Sequence, residues 1–437
     1  MQKILFVTVG GSHQPIVTSI KALEPDRVIF ICSDGSRGSK PQVVGKDNPC
    51  EIRQNGKIIE RLPNIPTQVN LGDAFDPEND IILLKSPDDL EECYEKIVAK
   101  IQEIKAQNSN AEIKADYTGG TKTMSVALGL ASLDYRLIPY LTTGTRTDII
   151  KINRGELTSE AGVAQIKAQR TIEQFLPLFL QQYNYPAATT ELRKLLSSVA
   201  LTSDLKQRIQ DFFSCCSGLD AWDRFEHQEA LALLENYMNR SEIRNLGIFL
   251  KKVIYSRSQI DSDFDSTYGA KGHGYEIVQD LLLNAQRRAT QERYDDAVGR
   301  LYRAIELFGQ IRLLHTYEIK TGDVDLAKIP EPLKQKYEKF RSDQNQKIQI
   351  GLAMSYELLG DLSDPINELY ANQKNLIMDA LNVRNNSLFA HGFKPINQEE
   401  YQKFSDVIGG FIVEGIKLVT KKEQPLDSLQ FPSCLSI

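Results

Sequence analysis

Residues 381–392 read LNVRNNSLFAHG and place a guanidinium, an amide and an imidazole close together in the chain: Arg384, Asn385 and His391. If this stretch is one helix stopping at Gly392, residues seven apart lie about 20° off a common line and about 10.5 Å apart along the axis. Arg384 and His391 then share a face, with Asn385 beside Arg384. His391 falls in the last turn, where the helix dipole favours its protonated form. An imidazole with an ordinary pKa of about 6.5 serves as general base or general acid near neutrality. A guanidinium holds phosphate oxygens and offsets charge that grows in a transition state, and an amide orients either partner. The trio suits scission of a phosphodiester that carries its own nucleophile, as RNA does in its 2′-hydroxyl. That reaction needs no metal and leaves a 2′,3′-cyclic phosphate and a 5′-hydroxyl. Arg and His at this spacing also arise by chance, and a surface ion pair with a histidine at a helix end is the plain alternative.

A second place offers binding rather than scission. Thr8-Val9-Gly10-Gly11-Ser12-His13-Gln14-Pro15 follows one apolar run, and Asp116-Tyr117-Thr118-Gly119-Gly120-Thr121-Lys122-Thr123 follows another and opens a helix. Glycines let backbone approach a ligand closely, and a helix start presents free N–H groups to an anion. Gly10, Gly11, Ser12 and His13 on one loop, with Asp116, Thr118, Gly119, Gly120, Thr121 and Lys122 on the other, suit phosphate and ribose. His13 either lines such a site or caps the next helix. Neither loop is a standard motif. Thr121 separates Gly120 from Lys122, which breaks a P-loop, and residues 10–15 do not form the GxGxxG dinucleotide fingerprint. The plain alternative is that these glycines only shape turns.

The elements that must position these residues fall into two classes. Strands at 4–9, 27–32, 111–117 and 137–141 alternate with helices at 15–23, 86–107 and 121–135, with further strands expected at 67–71 and 149–152; residues 36–66 give no clear pattern. Such alternation implies a mostly parallel sheet with helices on both faces. Beyond about residue 160 the pattern is helical. Helices are expected at 163–183, within 192–213, at 224–237 and 243–255, then at 277–290, 294–314, 350–359, 365–389 and 398–420, with a polar loop over 256–274. The fold class is therefore α/β plus all-α: a Rossmann-like domain over 1–155, a helical connector over 156–275 and a helical bundle over 276–437.

The whole-chain figures bound the function. Of 437 residues, 41% are hydrophobic and 25% charged, and 52 basic against 58 acidic residues give a net charge of −6. This excludes a protein that coats nucleic acid by bulk charge, though not a small cationic site. No apolar run approaches the roughly 18 residues of a membrane span. The six cysteines form no CxxC or zinc spacing, so reduced thiols, a cytoplasmic location and no bound metal are expected. The string Asp261, Asp263, Asp265 lacks the glycine and terminal glutamate of a calcium loop. Arg287, Arg288, Arg293, Arg300, Arg303 and Arg312 bias the first bundle helices toward positive charge, offset by nearby acids; a solvated face is the expectation, with guidance of RNA as the alternative. Glu306 is a candidate to orient Arg384. His227, His273 and His315 show no partner pattern, and Trp222 reads as packing.

The pairing of TVGGSHQPI with DYTGGTKTMSVAL resembles the CARF domain, the Rossmann-like sensor of type III CRISPR systems. That resemblance covers about residues 1–155. It implies a homodimer binding a cyclic oligoadenylate, tetra- or hexa-adenylate, through Gly10 to His13 and Asp116 to Lys122, with weaker carry-over to the loop from Ser33 and Asp34 to Ser36 and to Thr142 through Thr145. Arg384-Asn385, five residues and His391, in an all-helical C-terminal region, resemble the HEPN ribonucleases, which implies catalytic roles for those three and a composite site made by two copies. Together the resemblances imply a CRISPR-associated endoribonuclease in antiviral defence, cutting single-stranded RNA on activation by cyclic oligoadenylate and associated with no membrane. The alternatives are a nucleotide-binding regulator with a non-catalytic dimerisation bundle, or a ring nuclease that degrades its own ligand.

Overall fold

A computed structural model describes residues 2–35, 37–54, 57–143, 157–160, 163–197, 201–422 and 426–435. The chain forms two compact units, residues 1–167 and 168–437.

Among the described residues the first unit has eight strands: β1 (Lys3–Thr8), β2 (Arg27–Ser33), β3 (Cys50–Gln54), β4 (Lys57–Leu62), β5 (Ile81–Leu84), β6 (Glu112–Asp116), β7 (Ile138–Thr143) and β8 (Leu157–Glu160). Six make one sheet in the order β5-β2-β1-β6-β7-β8, parallel except for β8, which runs against β7. β1 and β2 are continuous apolar runs because both their faces lie under helices. Helix Leu90–Gln107 turns Cys93, Ile97, Ile101 and Ile104 inward; Asp89 caps its start by accepting from the Glu91 and Glu92 N–H groups. From β1 the chain builds outward through β2 to β5, then returns to add β6 on the other side of β1. The order therefore reverses between β1 and β6, which is where such sheets leave a crevice at their carboxyl ends.

Three expectations change here. Residues 67–71 form no strand: Pro66 starts a short helix, Ile65–Gln68, capped by the Asn64 side chain. The unassigned stretch 36–66 contains the antiparallel hairpin β3–β4, with Ile58 and Ile59 exposed on it. The sheet also runs past residue 155, through β8. The strand expected at 149–152 lies outside the described residues.

The second unit is helical, and one hydrophobic core runs through it from Ala168 to Phe431. The segments 168–275 and 276–437, distinct in sequence, share that core. Its axis is Glu276–Thr290, a helix buried on nearly every side. Ser241–Ser258 and Tyr294–Tyr317 pack along it, and Ser203–Asp223 and His227–Leu234 reach it through side-chain hydrogen bonds. Asp280, Asn284 and Arg287 recur at helical spacing on the axial helix, and all are buried. Asp280 accepts from Trp222 Nε1 at 2.9 Å and lies 3.0 Å from His227 Nε2. Arg287 donates to Asp223 at 2.7 Å, and Asn284 donates to the same carboxylate at 2.9 Å. Phe431 stacks on the Arg287 guanidinium at 3.8 Å. Trp222 is packing, as expected. His227, which shows no partner pattern in the sequence, is a buried structural partner of Asp280, and Arg287 belongs to no solvated face.

Removing one member of a buried charged set leaves the others uncompensated, at about 3–5 kcal/mol. Asp280→Ala is therefore expected to destabilise the second unit by that order. Chemical denaturation followed by Trp222 fluorescence measures it.

Candidate functional site

The two glycine-rich loops stand on adjacent strand ends at the crevice, β1 and β6. Their contact is made largely by backbone. The Thr8 hydroxyl donates to the Gly119 carbonyl at 2.7 Å. A Cβ on Gly119 would lie 2.1 Å from the Thr8 carbonyl oxygen, and one on Gly10 would lie 2.6 Å from the Gly120 nitrogen. Gly120 also has φ +80, in the left-handed region that favours glycine. These glycines let the loops close on each other.

The expected ligand residues then divide. Gly11, Ser12, Asp34 and Lys122 are exposed. Lys122 opens helix Lys122–Asp134, and Thr121 is its N-cap, accepting from the Met124 N–H and donating to the Pro87 carbonyl. Asp116 is buried and occupied: it accepts from the Thr118 N–H at 2.8 Å and the Thr142 hydroxyl at 3.0 Å. Thr118 accepts in turn from the Thr142 N–H. Asp116 thus ties β6 to its loop and to β7. Ser33 exchanges hydrogen bonds with Ser39 and braces the loop after β2. Ser36, Gly144 and Thr145 lie outside the described residues.

His13 occupies the N-cap position of Gln14–Leu23 but makes no capping bond. It is buried, and its Nε2 has no hydrogen-bond partner among the described residues. Burial pushes its pKa below the ordinary 6.5. Sequence reading missed Gln42, whose amide donates to the Gly10 carbonyl at 2.6 Å and whose Oε1 is likewise buried without a partner among the described residues. Nothing in the pattern of residues 36–66 marks it; only folding brings it to Gly10.

At the other place the structure departs from the helical reading. Helix Ile366–Asn385 ends at Asn385, so His391 is not in its last turn. Three consecutive polar residues, Asn385, Asn386 and Ser387, are weak helix formers that favour caps and turns. The Asn386 side chain donates back to the Asn382 carbonyl at 3.0 Å. The chain then reverses. The His391 N–H donates to the Asn385 carbonyl at 3.1 Å, and the Gly392 N–H donates to the Ser387 carbonyl at 3.1 Å. A Cβ on Gly392 would lie 1.9 Å from the Asn386 carbonyl oxygen. Gly392 is thus the residue that lets the loop press on the helix end, not a helix stop. The roughly 10.5 Å axial separation of Arg384 and His391 expected of one helix falls with the helix.

Arg384 is half-buried, and its guanidinium lies over the Tyr302 ring, 4.3 Å from the centroid. Its Nη1 donates to Asn385 Oδ1 at 3.3 Å. Glu306 does not orient it: that carboxylate pairs with Arg303. Tyr302 is the residue sequence reading missed. Asn385 and His391 are exposed, and so are Leu388, Phe389 and Phe393 in the same reversal. The reversal thus brings the backbone of His391 back to the exposed helix end that carries Arg384 and Asn385.

Residues 267–413, which include Arg384, Asn385 and His391, match the family model of the Csm6 HEPN domain. No curated protein matches the chain. Among solved structures it is similar to Enterococcus italicus Csm6 bound to cyclic hexa-2′-fluoro-hexa-dAMP, with a TM-score of 0.56 and 13% identity over 98% of this chain and 97% of that one. At that identity the likeness establishes the fold, a mostly parallel sheet with helices followed by a helical region. The CARF–HEPN resemblance drawn from the two motifs is borne out, by the family match in the C-terminal part and by the shared fold throughout. Among the described residues no helix is long and apolar enough to cross a membrane.

Gly119→Ala is expected to force the β1 and β6 loops apart and cost the first unit about 1–3 kcal/mol. Faster amide exchange confined to β1, β6 and their loops is the readout.

Proposed function

We propose that the chain is a CRISPR-associated endoribonuclease that cuts single-stranded RNA when a cyclic oligoadenylate occupies the loops of the first unit. The observation that carries this reading is the reversal after Asn385, which returns His391 to the helix end that bears Arg384, inside the region matching the Csm6 HEPN domain. In the reaction the 2′-oxygen attacks the adjacent phosphorus while the bond to the 5′-oxygen breaks. His391 moves a proton to or from one of these oxygens. Arg384 holds the non-bridging oxygens, where charge grows, and Asn385 orients the phosphate. The products are a 2′,3′-cyclic phosphate and a 5′-hydroxyl, and the step uses no metal.

The ligand reading rests on the crevice. Gly11, Ser12 and Lys122 are exposed, Lys122 at a helix start, and the buried His13 and half-buried Gln42, which bonds Gly10, each keep a buried polar atom without a hydrogen-bond partner among the described residues. The related structure named above was solved with a cyclic hexanucleotide analogue. Activation requires that the ligand bind the cutting-competent state more tightly than the resting one. A homodimer is supported by the apolar side chains beside the motif: Phe389 is 66% and Phe393 91% exposed in a single chain, and a second copy would cover them. The cellular setting is cytoplasmic antiviral defence.

Labelled single-stranded RNA is incubated with the protein in EDTA, with and without cyclic tetra- and hexa-adenylate. One ring size is expected to stimulate cutting. His391→Ala and Arg384→Ala are expected to lower the rate by about 10²–10⁴. Absence of ligand-stimulated cutting leaves a non-catalytic regulator, and equal cutting by His391→Ala overturns the catalytic assignment of the Arg384–His391 site. Gly392→Ala is expected to abolish most of the activity while the unfolding temperature stays near that of the parent, because it displaces only the reversal.

A further inference from the structure

The arginines of the axial helix and its neighbour surround a cavity that the reading above does not use. It has a volume of about 650 Å³ and lies within the second unit, between the turn at 182–186, the end of Ser203–Asp223, and helices Glu276–Thr290 and Tyr294–Tyr317. That is the size range of small-ligand pockets. Arg224, Arg288, Arg293 and Arg300 line it, with Tyr183 and Phe225 as aromatic walls.

The charges around it do not balance pairwise. Arg287 and Arg288 both pair with Asp223, and Arg293 and Arg300 both pair with Asp296, at 3.5 and 3.4 Å. Two carboxylates thus serve four guanidiniums. The further acids are already engaged: Asp280 is 3.9 Å from Arg287 and bonded to Trp222 and His227, and Asp220, which also lines the cavity and attracts Arg288, pairs with Arg224. Arg224 has its own partners in Asp220 and Glu226. Arg288 Nε is buried with no hydrogen-bond partner among the described residues. Burial, then the nearness of Arg300 and Arg293, pushes the Arg288 guanidinium below its usual range, and burial does the same to Arg300. An anion in the cavity would relieve this crowding and receive charge-assisted hydrogen bonds.

We infer that this cavity binds a phosphate-bearing nucleotide, its phosphate held by Arg288, Arg293 and Arg300 and its base against Tyr183 and Phe225. The same chemistry is offered by a free mononucleotide and by the phosphorylated end of a short oligonucleotide. None of the lining residues belongs to the glycine-rich loops or to the Arg384–His391 site, so the inference stands independently of the proposed activity.

Trp222, the only tryptophan of the chain, is buried next to Asp223, which lines the cavity. Its emission therefore reports this place rather than the loops of the first unit. The full chain is titrated with AMP, inorganic phosphate and adenosine, with excitation at the red edge of the indole band. AMP is expected to shift the emission saturably and adenosine to bind at least about tenfold more weakly, the effect of one lost charge-assisted interaction. Arg300→Gln and Arg293→Gln are each expected to weaken AMP by about tenfold. Arg293 is the exposed member, so its variant keeps the test valid if Arg300→Gln unfolds. Competition by a 5′-phosphorylated oligonucleotide assigns the site to a chain end; competition by AMP alone assigns it to a free nucleotide. No saturable response to millimolar AMP, equal binding of adenosine, or unchanged affinity in a folded Arg293→Gln protein overturns the inference.

Discussion

Asp280 is fully buried, and its charge has to be met inside the protein. A carboxylate removed from water is tolerated only where donors replace the water it loses. Here an indole N–H and an imidazole supply them, from two helices that precede the axial helix in the chain. One turn and two turns further along the same face, Asn284 and Arg287 engage Asp223. These polar contacts fix how helix Ser203–Asp223 lies against Glu276–Thr290, since apolar packing alone tolerates sliding and a buried charge does not. The C-terminal segment then closes over the set, with Gln430 accepting from Arg287 and Phe431 stacked on it. The helices before and after residue 275 are one body for this reason. The motif-bearing helix is held by the same core, and the loop after it is tied to Tyr294–Tyr317 where the Ile396 N–H donates to Asp295.

The first unit follows a different rule. Its crevice is shaped by missing side chains. Thr8, Gly10, Gly119 and Gly120 bring two strand ends into backbone contact, and the side chains with chemistry stand around that contact. Asp116 and Thr121 spend their polar atoms on holding it together, whereas Gly11, Ser12 and Lys122 stay at the surface. Residues adjacent in a motif therefore divide between scaffold and surface, and only the surface set is free to meet a ligand.

The large elements were legible because their periodicity is strong. The buried strands β1 and β2 announce themselves as apolar runs, and Leu90–Gln107 by its inward isoleucines and acidic start. The hairpin β3–β4 was not legible, since an exposed ribbon has no buried face to impose a pattern. β5 is four residues long, too short to stand out before its neighbours are known. The two candidate sites were legible as positions in the chain, but their geometry was not. Gly392 looked like the end of a long helix because glycine commonly is; the backbone oxygen it must pass belongs to Asn386, six residues away, and only the folded chain puts them together.

By itself, then, the sequence determined what local chemistry can determine: two classes of architecture along one chain, glycine-rich turns at strand ends, and an Arg-Asn pair followed by His. Tertiary structure decided which residues are partners. Tyr302 rather than Glu306 lies under Arg384, Gln42 reaches Gly10, and arginines that read as a solvated face surround a cavity or are buried outright. The physical reason is common to all three. Helical spacing says which residues share a face, but whether that face meets water, a ring or a carboxylate depends on elements far away in the chain, and burial is what turns a spacing into an interaction.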